Sequence, residues 1–160
     1  MAKNAWHQQS KVKKMEYQGI KFDSKTEMDF YIHLQSGKYK PNIQNIIIHP
    51  KFILVPAFFK NGKKIQPITY VADFQIEFDD GSIEIIDVKG YMLTPDFKLK
   101  KKLFEYFYPH ELKLIALFPK KHGGQFGDYF ELAAIRKEES KNGPKAKPMQ
   151  QKTKGNQKGK

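Results

Sequence analysis

The chain has no cysteine and a single arginine, Arg136, among its 29 basic residues. The first absence excludes a disulfide framework and any thiolate metal site. The second argues against bidentate reading of guanine, which favours a guanidinium. Acids are also scarce, and 17 Asp and Glu leave a net charge of +12. That sign points to an anionic partner, nucleic acid first and an anionic membrane surface second. No apolar run reaches membrane-spanning length and none at the N-terminus resembles a signal peptide. The expected setting is therefore the cytoplasm, with no membrane partner. The histidines show no ligand spacing, and there is no Gly-rich phosphate loop and no nucleophilic Ser/His pair. Aromatic residues are plentiful: 13 Phe and 8 Tyr in 160 residues are enough to pack one domain.

Residues 1–14 are polar and are expected to be a flexible segment before a domain over 15–139. Residues 140–160 form a Lys-rich tail, with seven lysines between 141 and 160 and no acid. With Met149 its only large apolar residue, the tail is expected to be disordered. It would serve as an electrostatic arm for a phosphate backbone or as a solubilising tail.

Within the domain, MEYQGIKF reads as two short extended pieces around Gly19. Ser24 and Glu27 have capping-box spacing, and Glu27, Phe30, Tyr31 and Leu34 share one helical face. The helix is expected to end near Ser36-Gly37. Ile46–Ile48 is an apolar run, and Phe52–Phe59 is predicted as a strand. The turn Lys60-Asn61-Gly62-Lys63 returns the chain into a strand over Ile68–Phe78. Asp79-Asp80-Gly81 leads to a strand over Ser82–Val88. Thr94-Pro95-Asp96 starts a second helix, which Pro109 stops. Leu112–Phe118 is a buried-type strand, and Asp128 caps a last helix to about Glu139. The expected fold is α/β, with element order α-β-β-β-α-β and a central mixed sheet flanked by helices.

Asp73, Asp87 and Lys89 are charges among Val, Ile, Phe and Ala on two consecutive strands. Buried charge costs several kcal/mol unless it is paired or holds a metal. A two-residue turn would put the two aspartates on opposite sheet faces. A three-residue turn with Gly81 last puts Asp73 opposite Asp87, Val71 opposite Lys89 and Phe74 opposite Ile86, with Ala72 and Val88 on the apolar face. The sequence favours the second register, because a slip would mix the faces. Two oxygen-donor carboxylates suit Mg²⁺, which keeps waters and takes substrate phosphate. Lys89 would orient the attacking water or stabilise phosphoryl charge. The competing reading is a solvated sheet face with Lys89 neutralising one acid. Glu27 is the candidate third acid, its alternative being the capping box alone. Gln75 is expected to support the site, and His49 is read as a loop residue. Lys98, Lys100 and Lys102 on the second helix are candidate phosphate contacts.

Glu27, Asp73 and Asp87-Val88-Lys89 on a helix, a strand and the next strand resemble the PD-(D/E)xK nuclease superfamily. The longer segments GIKFDSKTE, ITYVADFQIEFDDG, IIDVKGY and TPDFKLKKKLFEY resemble a phage-encoded branch of it found in prophages of Gram-positive bacteria. That branch is Holliday-junction-resolvase-like and restriction-endonuclease-like. The resemblance spans roughly 15–118, although Val71-Ala72 precede Asp73 where the motif name has Pro. It implies a restriction-endonuclease-like core and an Mg²⁺-dependent DNA endonuclease, with Mn²⁺ as substitute. Glu27, Asp73, Asp87 and the Val88 carbonyl would be metal ligands and Lys89 the catalytic lysine. Branched DNA, as in Holliday-junction resolution, is a substrate class compatible with this reading, and paired cuts would require a homodimer. The alternative is a non-catalytic DNA-binding module on a nuclease-like fold, against which the presence of all four site residues argues.

Overall fold

The Asp79-Asp80-Gly81 turn sets the register of the central sheet. In a computed structural model, which describes residues 15–90 and 92–142, Gly81 has φ +80 and its N–H bonds to the Phe78 carbonyl. Phe78 N–H bonds to the Ser82 carbonyl, so three residues form the turn. Strands β8 (Phe74–Phe78) and β9 (Ile83–Val88) then pair Phe74 with Ile86 and Ile76 with Glu84. This is the register expected from Gly81.

The elements before the turn begin with a small hairpin, β1 (Met15–Tyr17) and β2 (Ile20–Phe22). Helix α1 (Lys25–Gln35) follows, with Ser24 Oγ accepting the Glu27 N–H. β3 (Ile43–Ile48) is the edge strand beside β8. After β9 comes α2 (Pro95–Phe107), capped by Thr94 with Pro95 in its first turn. The chain then returns through β10 (Leu112–Leu117), parallel to β9, and β11 (Phe126–Asp128), antiparallel to β10. Asp128 Oδ1 accepts the Phe130 and Glu131 N–H groups at the start of α3 (Tyr129–Asn142). The sheet order is β11-β10-β9-β8-β3, a mixed sheet flanked by helices. Its elements run α1-β3-β8-β9-α2-β10 along the chain.

Each face of this sheet has its own core. Phe22, Phe30, Tyr31 and Leu34 cover Phe74, Ile76 and Ile86 on the α1 face. Phe97, Phe104, Tyr129 and Leu132 cover Ile85, Leu112 and Leu114 on the other. The four residues predicted to share one face of α1 are all buried, Glu27 included. Among the described residues no helix is long and apolar enough to cross a membrane.

Three expectations are corrected. The strand expected over Ile68–Phe78 breaks at Ala72-Asp73, giving β7 (Ile68–Val71) and β8. Phe52–Phe59 does not enter the main sheet. It divides into β4 (Lys51–Val55), which pairs with β7, and β5 (Phe58–Lys60), which pairs with β6 (Lys63–Ile65). Pro56 lies between β4 and β5 and Pro67 between β6 and β7, and proline cannot donate to a ladder. The core strand is β3, which includes the Ile46–Ile48 run. The last helix also reaches Asn142, so the start of the expected tail is helical. The segment 1–14 and residues 143–160 of the tail lie outside the described residues.

A Cβ on Gly81 would meet nothing within 4 Å, so an alanine there would cost only backbone strain. Gly81→Ala is expected to lower stability by about 1–2 kcal/mol, read as a lower urea midpoint at unchanged slope. Gly81→Asn, which tolerates the left-handed conformation, should recover part of that loss.

Candidate active site

The break at Ala72-Asp73 lets the Asp73 side chain act as backbone. Asp73 N–H bonds to the Ile86 carbonyl at 3.1 Å, one residue off the β8–β9 register. Val88 N–H then donates to Asp73 Oδ2 at 2.6 Å. The carboxylate therefore completes the ladder that the backbone has left. The preceding residues turn away: Ala72 N–H bonds to the Pro50 carbonyl, and Val71 pairs with Lys51. Val71 is thus not opposite Lys89, and Ala72 packs in the α2-side core instead of beside Phe74.

Asp87 is buried near the end of β9. Its Oδ1 is 2.5 Å from Lys89 Nζ, and its Oδ2 accepts the Tyr70 hydroxyl. The Lys89 ammonium also lies 4.2 Å from the centroid of Phe97, a cation–π contact that ties it to α2. Its backbone N–H bonds to the Ile115 carbonyl on β10 at 2.7 Å. Burial and the Asp87 charge push the Tyr70 hydroxyl far above its ordinary pKa, so it stays a donor.

Asp73 is met by fewer partners than Asp87. Burial, then the Asp87 charge, push its carboxyl up to about 8, with the Val88 N–H opposing and the Glu27 charge adding a smaller upward push. Lys89 offsets this only weakly. Among the described residues, the second Asp73 oxygen has no hydrogen-bond partner. Glu84, another buried acid on β9, shows the contrast: it receives Lys40, Lys113 and Tyr39. Asp73 receives one backbone N–H.

Glu27 holds two partners at once. One oxygen accepts the Asp23 N–H at 3.0 Å, closing the helix start. The other is 2.5 Å from His49 Nε2. Glu27 thus binds the residue before the Ser24 N-cap and not the N-cap N–H of a capping box, and its charge still reaches Asp73. His49 lies in the loop between β3 and β4, as expected, and that loop packs its ring against Glu27. It adopts φ +53 between β3 and β4, and its N–H bonds to the Asp73 carbonyl at 3.0 Å. Sequence reasoning missed Tyr70 altogether, because an aromatic in a strand reads as core. Gln75 does not support the site, since its amide donates to Glu77 at 2.8 Å.

On α2, Lys100 pairs with Asp96 at 3.1 Å. Lys98 and Lys102 are exposed and, among the described residues, have no ion-pair partner. Lys98 lines a groove of about 570 Å³ with Met92, Phe130 and Arg136. The Arg136 guanidinium donates to the Gly90 carbonyl at 3.0 Å, which places this groove beside the residues that follow Lys89.

Among the described residues no cluster of three or more His, Asp or Glu groups sits at metal-ligand separation. The donor chemistry nevertheless fits a hard divalent cation. Two neighbouring carboxylates, one raised in pKa by burial and then by the other's charge, form an all-oxygen donor set.

The raised Asp73 has a direct consequence for metal-free protein. Folded, it holds its proton to about pH 8, whereas the ordinary value is 3.8. Between these values the folded state binds the extra proton, so stability is full below the window and falls as pH rises through it. Asp73→Asn should flatten this slope. It should also raise the melting temperature at pH 8 and leave it near wild type at pH 4, below the window.

No curated protein and no solved structure matches the chain. A family model covers most of it, and the chain belongs to that family, described as Protein of unknown function (DUF1064), over residues 7–122.

Proposed function

We propose that the chain is an Mg²⁺-dependent DNA endonuclease of the PD-(D/E)xK type, with Mn²⁺ as a substitute. The observation that carries this reading is the meeting of Asp73 and Asp87 at adjacent strand ends, with Lys89 Nζ 2.5 Å from Asp87. The order α1-β3-β8-β9-α2-β10 supports a restriction-endonuclease-like core. On the resemblance, the protein is phage- or prophage-encoded and works in the cytoplasm of a bacterial host.

Asp73, Asp87 and the Val88 carbonyl would hold the ion, with Glu27 behind them through its charge. When bound, the ion would acidify a water and stabilise charge on the phosphoryl group. The chain's own residues set the stage for that chemistry. Tyr70 fixes the Asp87 carboxylate, and Phe97 holds the Lys89 ammonium beside it. Lys89 is placed to donate to a non-bridging phosphate oxygen or to orient the attacking water. Lys98, Lys100 and Lys102 would contact backbone phosphates. Branched DNA is the proposed preferred substrate, cut by two copies of the chain so that paired incisions are symmetric.

The test is cleavage of four-way junction, flap, duplex and single-stranded DNA with Mg²⁺ or Mn²⁺. Asp87→Ala is expected to abolish cutting. Lys89→Ala should lower it by about 10²–10³-fold, as for loss of one preorganised donor to a developing charge. No cleavage of any substrate would favour a DNA-binding module without catalysis. Full cleavage by both variants would show that the chemistry lies elsewhere.

A further inference from the structure

The arm between Lys51 and Val71 leaves the sheet at the site and returns to it at Asp73. Its outer part, β5–β6, is exposed along both strands and on both faces. An isolated two-stranded ribbon is at best marginally stable in water. This one turns through Asn61-Gly62, both at positive φ, which suits a tight hairpin. It nevertheless presents Phe59 at 74% exposure, with Phe58 and Ile65 also in solvent. Phe58 and Ile65 are 44% and 41% exposed, so Phe59 is the most open of the three.

Its charge is equally one-sided. From Lys51 to Val71 there are four lysines (51, 60, 63, 64) and no acid. Lys60 lies directly opposite Lys63 across the ribbon, and Lys64 lies opposite Phe59. Like charges facing each other across a ladder repel. Among the described residues none of these lysines has an ion-pair partner. Facing lysines beside exposed aromatics match a polyanion whose major groove also presents apolar thymine methyl groups.

We propose that the β5–β6 ribbon lies in the major groove of a DNA duplex, with Lys60, Lys63 and Lys64 on phosphates and Phe59 against the bases. The major groove admits a two-stranded ribbon. The choice of ligand rests on the nuclease reading above. The arm's root supplies the geometric link: His49 N–H bonds to the Asp73 carbonyl, and Ala72 N–H to the Pro50 carbonyl. Tyr108, the residue that caps the end of α2, braces it, its hydroxyl bonded to both the N–H and carbonyl of Ile53 at 3.0 Å. DNA held by the ribbon is thereby tethered through the arm to the strand end that carries Asp73.

The experiment is a titration of a short fluorescein-labelled duplex by fluorescence anisotropy, without divalent metal, over a series of salt concentrations. The combined variant Lys60→Ala, Lys63→Ala, Lys64→Ala should reduce the slope of log K against log salt by about 2–3, near 0.9 for each phosphate that is no longer neutralised. Phe59→Ala should weaken binding by about 10-fold with the slope unchanged. All four side chains are exposed, so melting temperatures should match wild type. Asp87→Ala should keep the ribbon-dependent affinity while losing cleavage. Wild-type slope and affinity in the ribbon variants would overturn the ribbon and leave the nuclease reading intact. Ribbon-dependent binding without cleavage by wild type would overturn only the nuclease reading. Conversion of a dimer to a monomer by Phe59→Ala in sedimentation, with DNA affinity unchanged, would make this face a contact between copies and overturn the proposal.

Discussion

The hydrogen bond from the Val88 N–H to Asp73 Oδ2 decides three features of the molecule at once. It completes the β8–β9 ladder at a point where the backbone has turned away. It thereby allows the chain before Asp73 to leave the sheet as an arm, with Val71 paired to Lys51 instead of to β9. It also fixes the Asp73 carboxylate beside Asp87. A strand continuing straight through Ala72 would have given the Val88 N–H a backbone partner, and neither the arm nor the carboxylate pair would have this form.

The electrostatic cost of that arrangement is left standing at one residue. Glu84, on the same strand as Asp87, is buried and satisfied by two lysines and a tyrosine. Asp87 has Lys89 and Tyr70. Asp73 has a single N–H, an acid on either side, and a carboxyl pushed up to about 8. Neighbouring carboxylates with perturbed pKa values cluster at functional sites more often than elsewhere. Among the described residues, the Val88 N–H is the one hydrogen-bond donor to the Asp73 carboxyl. The family spanning residues 7–122 is described as one of unknown function. The functional reading therefore stands on the donor set and on the resemblance of its motifs.

How much of this was legible in the sequence depended on whether the cause was local. Gly81 set the turn, and the turn set the register, because only a glycine fits φ +80 at no cost. Ser24, Thr94 and Asp128 marked helix starts for the same kind of reason: a short polar side chain meets orphan N–H groups one turn on. The break at Ala72-Asp73 left no such mark. Residues 68–78 keep a strand-like composition throughout, and the break comes from tertiary bonds to His49 and Pro50. The arm was legible as a hairpin from Asn61-Gly62, but whether it would join the sheet was not, since alternation reads alike in both cases. Tyr70 was hidden by its aromatic ring, and its role rests on one hydroxyl. His49 stood next to a proline, where a loop was the simpler reading, and only the fold shows its ring against Glu27.

The central claim is that Asp73 and Asp87 together form a site for a hard divalent cation. Calorimetric titration of Mg²⁺ at pH 7, in two buffers of different ionisation enthalpy, tests it most directly. Because Asp73 holds a proton at that pH, binding should release about one proton, and Asp73→Asn should bind more weakly and release none. Mg²⁺ binding with no proton release, or equal binding by wild type, Asp73→Asn and Asp87→Ala, would contradict it.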